Sequence, residues 1–202
     1  MAEAISNPYP SRFVGRLMGL PVADLPAIKD GATASSLRMA GDFRPEVLHE
    51  VARFAESFVR FAGERRHELA TDRRDPSAAR DFTDLLFGPC PDGYRLRFDG
   101  IVQYEIPLAT GGNETTAQLL SALVLLLGEQ PGILERLRDE PSLRPSAVEE
   151  ALRYVSPVNG LFRHTTRPVE VAGTELPADA KVLLLYGSAN HDETHYLSLI
   201  HI

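Results

Sequence analysis

The chain has 202 residues, of which 44% are hydrophobic and 24% charged, and it carries a formal charge of −7. That composition is ordinary for a folded globular protein, with enough apolar side chain for a real core in one domain or two small ones. The acidic balance argues against a nucleic-acid binder, which needs a basic face, and the single cysteine, Cys90, excludes an internal disulfide or a multi-cysteine metal site.

In chain order, residues 11–18 place Phe13, Val14 and Leu17 on one helical face, with Gly19 as the stop. Beyond Pro21, Asp24 is a candidate N-cap for a second helix reaching Arg38. The third pattern is the cleanest. Pro45 opens it, and Val47, Leu48, Val51, Phe54, Phe58 and Phe61 recur every three or four residues through to about Leu69. Arg53, Glu56, Arg60, Glu64 and Arg65 lie between them as a solvated face. Residues 71–80 are a polar loop, residues 81–87 a short helical stretch, and Gly88-Pro89-Cys90-Pro91-Asp92-Gly93 a turn cluster.

From about Asp99 to Glu129 the pattern is apolar almost all round, which places the helix in the middle of a protein. Pro107 removes a hydrogen bond there and crowds the carbonyl of Gln103, so a kink or a later start is expected. Helices continue at residues 132–139 and 145–154. The texture then changes: residues 169–171, 174–176 and 181–186 are short strand patterns separated by Ala-Gly and Pro-Ala-Asp turns. The fold class is therefore mainly α with a small β-sheet region near the C-terminus. The first residues lack the basic-then-apolar pattern of a signal peptide, and the most apolar run, residues 119–127, is about half a membrane span. A soluble cytoplasmic protein is expected.

The segment Gly111-Gly112-Asn113-Glu114-Thr115-Thr116 falls mid-way along the central helix. Each glycine costs about 1 kcal/mol relative to alanine there, and hydroxyls in a helix bond back to the preceding turn and loosen it. Such a run fits a ligand close to the backbone beside a proton-handling pair, or simply a helix break. Asn113-Glu114-Thr115 also matches a glycosylation acceptor, an unlikely reading in a buried helix. Glu150 and Arg153 share a helical face and can pair, whereas Glu50/Arg53 and Glu135/Arg138, at the same spacing, read as solvated surface. His191-Asp192-Glu193-Thr194-His195 resembles a zinc-protease helix but has Asp where that motif needs Glu, so a polar loop is the better reading. Cys90 reads as a loop cysteine.

Taken in order, three pieces resemble the cytochrome P-450 family of bacterial-type, soluble haem-thiolate monooxygenases. They are Gly111–Thr116, then Val148-Glu149-Glu150-Ala151-Leu152-Arg153-Tyr154, then Arg163 ahead of the β-rich stretch ending Gly187-Ser188-Ala189-Asn190-His191-Asp192. The resemblance covers roughly residues 7–196. It implies that the central helix crosses over a haem (iron protoporphyrin IX), that Gly111 and Gly112 open the groove where dioxygen binds, and that Glu114 and Thr115 are the acid–alcohol pair delivering protons. It further implies that Glu150 and Arg153 lock the core near the haem's proximal side and that Arg163 bonds a haem propionate. Residues 11–69 would form the back and lid of the substrate pocket. A small organic substrate and a soluble electron donor such as ferredoxin or flavodoxin are the implied partners, with no nucleic acid and no membrane.

The departures are equally specific. The family's haem-cysteine loop would follow Asp192 and is not matched, so no axial metal ligand is assigned; Cys90 precedes the central helix. The family's N-terminal third is not matched either. Residues 197–202 do not continue the pattern and read as a non-native or read-through tail after a partial domain spanning residues 1–196. The expectation is an internal fragment of a monooxygenase with little or no activity by itself. The alternative is a helical ligand-binding or interaction module without redox chemistry.

Overall fold

The structure is a computed structural model describing residues 6–71 and 80–196. The expected tail and nearly all of the expected 71–80 loop lie outside the described residues. The chain divides into two compact units, Met1–Ala117 and Gln118–Ile202.

The first unit is helical. Helix α1, Pro8–Met18, ends at Gly19, whose left-handed φ of 73° is the conformation glycine adopts without a Cβ penalty. A short 3₁₀ turn, Val22–Asp24, leads into α2, Leu25–Met39. Asp24 occupies the N-cap position of α2, but its side chain makes no capping bond. Helix α3, Pro45–Thr71, is followed by α4, Phe82–Phe87, where Asp81 is a working N-cap that accepts from the Asp84 N–H. Helix α5, Phe98–Glu129, runs through Pro107 from a start at or before the expected one.

The core of this unit comes from four helices. Val14 and Met18 of α1, Ile28 and Ala32 of α2, Phe54, Phe58, Phe61 and Ala62 of α3, and Val102 and Ala109 of α5 form one buried cluster. Phe54 and Phe58 meet edge to face at 5.1 Å. Three expectations need correction here. The inner face of α1 is Pro10, Ser11, Val14 and Met18, while Phe13 is 60% exposed and Leu17 is also exposed. Apolarity alone misjudged that face because its buried stripe includes a hydrogen-bonded serine. Arg65, assigned to the solvated side of α3, is only 8% exposed, because two carboxylates accompany it inside. The all-round apolar pattern of the central helix does not translate into all-round burial, since Val124 and Leu125 are exposed.

In the second unit, α6, Pro131–Asp139, and a 3₁₀ turn, Pro141–Leu143, precede α7, Arg144–Val155. Four short strands follow: β1 Leu161–His164, β2 Val169–Val171, β3 Thr174–Leu176 and β4 Lys181–Leu184, then α8, Tyr186–Asn190. They make two antiparallel pairs, β1 with β4 and β2 with β3. The β2–β3 hairpin turns on Ala172 and Gly173, both at positive φ (49° and 78°), as a type I′ turn requires. Strand β1 carries little pattern of its own and exists through pairing with β4, Arg163 opposite Val182. No single helix among the described residues is long and apolar enough to cross a membrane.

Candidate functional site

The turn of α5 around Gly111 is held by side-chain bonds back to the helix. Thr110 Oγ1 donates to the Ile106 carbonyl at 3.0 Å, Asn113 Nδ2 to the Ala109 carbonyl at 2.6 Å, and Thr115 Oγ1 to the Gly111 carbonyl at 2.7 Å. Such bonds compete with the regular ladder and soften the helix locally. On the inner side, Ser11 Oγ donates to Asn113 Oδ1 at 2.6 Å, with both residues buried. That bond pins this turn to α1. It also occupies the asparagine of the glycosylation-like triplet.

The two glycines do different work. A Cβ on Gly112 would lie 2.7 Å from Val14 Cγ2, so this glycine lets α1 approach α5. A Cβ on Gly111 would meet nothing within 4 Å. Only Gly111 therefore presents bare backbone to open space, and Gly112, expected to share in opening a groove, faces the neighbouring helix. Glu114 and Thr115 are half-buried on the same turn. Among the described residues the Glu114 carboxylate makes no hydrogen bond. Thr115 spends its proton on Gly111, which leaves its lone pairs to accept from a protonated acid or water.

The second unit holds the other candidates. Arg153 Nε and Nη2 donate to Glu150 Oε2 and Oε1 at 2.8 and 2.6 Å, a two-pronged pair that is largely buried. The hydrogen bond with Glu150 holds the Arg153 guanidinium above its ordinary pKa. Arg153 Nη1 also donates to the Asn190 carbonyl, and the guanidinium Cζ lies 4.6 Å from the Tyr196 ring centroid. Asn190 Nδ2 bonds Ser156 Oγ, which donates to the Arg153 carbonyl, so α7 and the end of α8 are tied by one polar network. By contrast Arg53 meets Glu50 only at an exposed 3.3 Å. Arg163 on β1 is exposed; it donates to the Phe162 carbonyl at 2.9 Å and sits 3.4 Å from the Tyr186 hydroxyl, a weak contact. Among the described residues, most of its N–H groups make no other hydrogen bond.

The remaining candidates are tied into turns. His191 Nδ1 bonds the Gly187 carbonyl, and Asp192 Oδ1 accepts from the Thr194 N–H and hydroxyl. The Cys90 N–H donates to the Tyr94 carbonyl at 2.7 Å and its carbonyl accepts from the Gly93 N–H. A small apolar recess is lined by Leu123, Leu126, Leu127, Ile133 and Leu137, and its polar members are Gln130, Tyr154 and the already paired Glu150. Among the buried polar residues that the sequence reading did not single out are Ser11, Thr83, Glu105 and Ser156. Glu105 was visible as a lone acid in the apolar start of α5, while Ser11 had no signal apart from its place on the inner face.

The family model for Cytochrome P450 matches residues 37–198. Cytochrome P450 130 of Mycobacterium tuberculosis is 35% identical over 191 residues, which are 94% of this chain and 45% of that protein. Cyclomarin C epoxidase CymV of Salinispora arenicola is 33% identical over 192 residues, 95% of this chain and 48% of that one. Among solved structures, ligand-free Cytochrome P450 TbtJ1 superposes with a TM-score of 0.83 at 30% identity, covering 98% of this chain and 51% of its own. The chain thus spans about half the length of the relatives it matches. These likenesses lend no support to a binding module without redox chemistry.

Proposed function

Because this chain belongs to the cytochrome P450 family, we propose that it is the part of a haem-dependent monooxygenase that bears the oxygen-side turn and a haem-carboxylate contact, the whole protein inserting one atom of dioxygen into a small organic substrate. The observation that carries this reading is the α5 turn, where Gly111 offers open backbone beside Glu114 and Thr115. Each unit, taken by itself, offers one feature suited to haem. A flat, bulky group can approach Gly111 where no Cβ intervenes, and the exposed Arg163 guanidinium suits a propionate. Bound haem supplies the activation of dioxygen.

The chain's own residues handle protons and position. Glu114, half-buried and without a hydrogen bond among the described residues, exchanges protons with solvent and passes them to Thr115 Oγ1. As Oγ1 takes that proton the hydroxyl gives up its own, which leaves the Gly111 carbonyl for an acceptor on the open face, so that one proton enters and one departs. The Glu150–Arg153 pair holds α7 against α8 and touches no reacting atom. Cys90, bound into its turn, is not assigned as an iron ligand. A cytoplasmic location, a soluble ferredoxin or flavodoxin donor, and little or no monooxygenase activity from this chain alone belong to the same proposal.

The test is hemin titration of the purified chain, followed by Soret absorbance. Replacing Arg163 with Ala should weaken binding by about tenfold or more, the loss of one charge-assisted bond, and Gly111→Phe should weaken it further by closing the open face. Equal affinity in all three chains would refute the assignment, and a thiolate-type spectrum of the reduced carbon monoxide complex, lost in Cys90→Ser, would overturn the view of Cys90.

A further inference from the structure

The carboxyl group of Glu105 is the most deeply buried acid described in the protein, with 0% of the residue exposed. It lies on the face of α5 that carries Val102, Ala109 and Asn113, the side turned toward α1, and so away from the open face at Gly111. The proton-delivery turn therefore does not use it. Its one hydrogen-bond partner among the described residues is Thr83 of α4, also 0% exposed, whose Oγ1 lies 2.9 Å from Glu105 Oε1 and 2.8 Å from the Met18 carbonyl at the end of α1. Glu105 Oε2 has no partner among the described residues.

Proton counting decides the state of this junction. A threonine hydroxyl has one proton to give. If Glu105 is ionised, that proton serves either the carboxylate or the Met18 carbonyl, and the other acceptor is left buried without it. If Glu105 is the neutral acid, both bonds form in series: the carboxyl O–H donates to Thr83 Oγ1, and the Thr83 hydroxyl donates to Met18. An ionised form would also be an unpaired charge in an apolar core, which costs far more than either hydrogen bond returns.

We propose that Glu105 is held as the neutral acid and serves as a proton-operated clasp joining α1, α4 and α5, which loosens when the proton leaves. The proposal is independent of the monooxygenase reading. Burial is the main force on the group, raising its pKa from 4.5 to about 7, against lesser lowering by the Thr83 hydrogen bond and by Arg65. The charged neighbours on every packed element agree. On α3, Arg65 is the cation that acts on Glu105 among the described residues, and its guanidinium is already committed to Asp81, Asp84 and the Gly19 carbonyl. Asp81, the cap of α4, opposes ionisation, and Asp84 is occupied by Arg65 and Arg80. The charged residues of α1, Arg12 and Arg16, and Asp99 on α5 are exposed.

The sign follows from the raised value. The folded state holds this proton where the unfolded chain releases it, so the contribution is complete below about 4.5, declines above that, and is gone once pH has risen through about 7. The experiment is thermal unfolding of the intact chain between about pH 5 and about pH 8, for the parent and for Glu105→Gln, whose amide can donate to Thr83 without titrating. The parent should lose stability steadily across that window and Glu105→Gln should not. Identical slopes in the two chains would overturn the clasp. Should the variant fail to fold, carbon-13 NMR of the Glu105 carboxyl reads the titration directly: a midpoint near neutrality supports the proposal, and one in the ordinary glutamate range sinks it.

Discussion

Placing a methyl group at each of the two adjacent glycines of α5 separates packing from helix propensity. Both positions are helical, so glycine to alanine gains about 1 kcal/mol of propensity at each. At Gly111 the new Cβ meets nothing within 4 Å, and that gain should appear in full. At Gly112 the Cβ arrives 2.7 Å from Val14 Cγ2, more than half an ångström inside ordinary van der Waals contact. Val14 is buried, and a β-branched side chain in a helix has essentially one rotamer, so it cannot swing aside. Overpacking of this kind costs about 1–3 kcal/mol. Gly112→Ala should therefore come out between neutral and about 2 kcal/mol destabilised, and Gly111→Ala about 1 kcal/mol stabilised. Urea denaturation followed by circular dichroism measures both, and the Gly112→Ala/Val14→Ala double variant should lose less than the sum of the single losses, because the clashing methyl is gone. If Gly112→Ala stabilises as much as Gly111→Ala, then α1 does not press on Gly112 and the division of labour between the glycines is wrong.

Phe58, fully buried against Phe54 in the core of the first unit, should cost about 3–5 kcal/mol when cut to alanine, read as a lowered denaturation midpoint; a loss below about 1 kcal/mol would mean the cluster is not packed as described. Arg65→Met leaves Asp81 and Asp84 without the guanidinium they share and should cost about 3 kcal/mol or more. Burial would raise the Asp84 pKa, but hydrogen bonds from Arg65 and Arg80 outweigh it and hold the group below its ordinary value. Its contribution is thus present above the ordinary carboxylate range and disappears as pH falls through the lowered value, and acid titration of stability should be shallower in Arg65→Met than in the parent.

What the sequence made legible tracks what each signal depends on. Helix α3 was readable almost to its ends because one proline start and a run of phenylalanines state both boundary and face locally. The β2–β3 hairpin was readable from two turn residues. Strand β1 was not, because its existence depends on β4 far along the chain. Burial of Arg65 was hidden for the same reason: its partners Asp81 and Asp84 belong to another helix, and spacing along α3 says only that an arginine follows a glutamate. In the candidate site, the Gly111–Thr116 run announced an unusual turn, but nothing local distinguished Gly111 from Gly112. That distinction comes from Val14, almost a hundred residues earlier.

The Arg65 network has a consequence in time as well as in energy. Its guanidinium joins Asp81 and Asp84, 16 and 19 residues ahead, to the Gly19 carbonyl, 46 residues behind. None of these bonds is local, and each must await the docking of separately formed helices, with loop-closure entropy lost before any bond is made. Arg65 therefore belongs among the contacts closed late in folding. Its loss in Arg65→Met should act mainly by speeding unfolding and leave the refolding rate nearly untouched. On that expectation, the side chain that looked like one more solvated arginine on α3 should act as a latch, governing how long the first unit stays shut more than how quickly it closes.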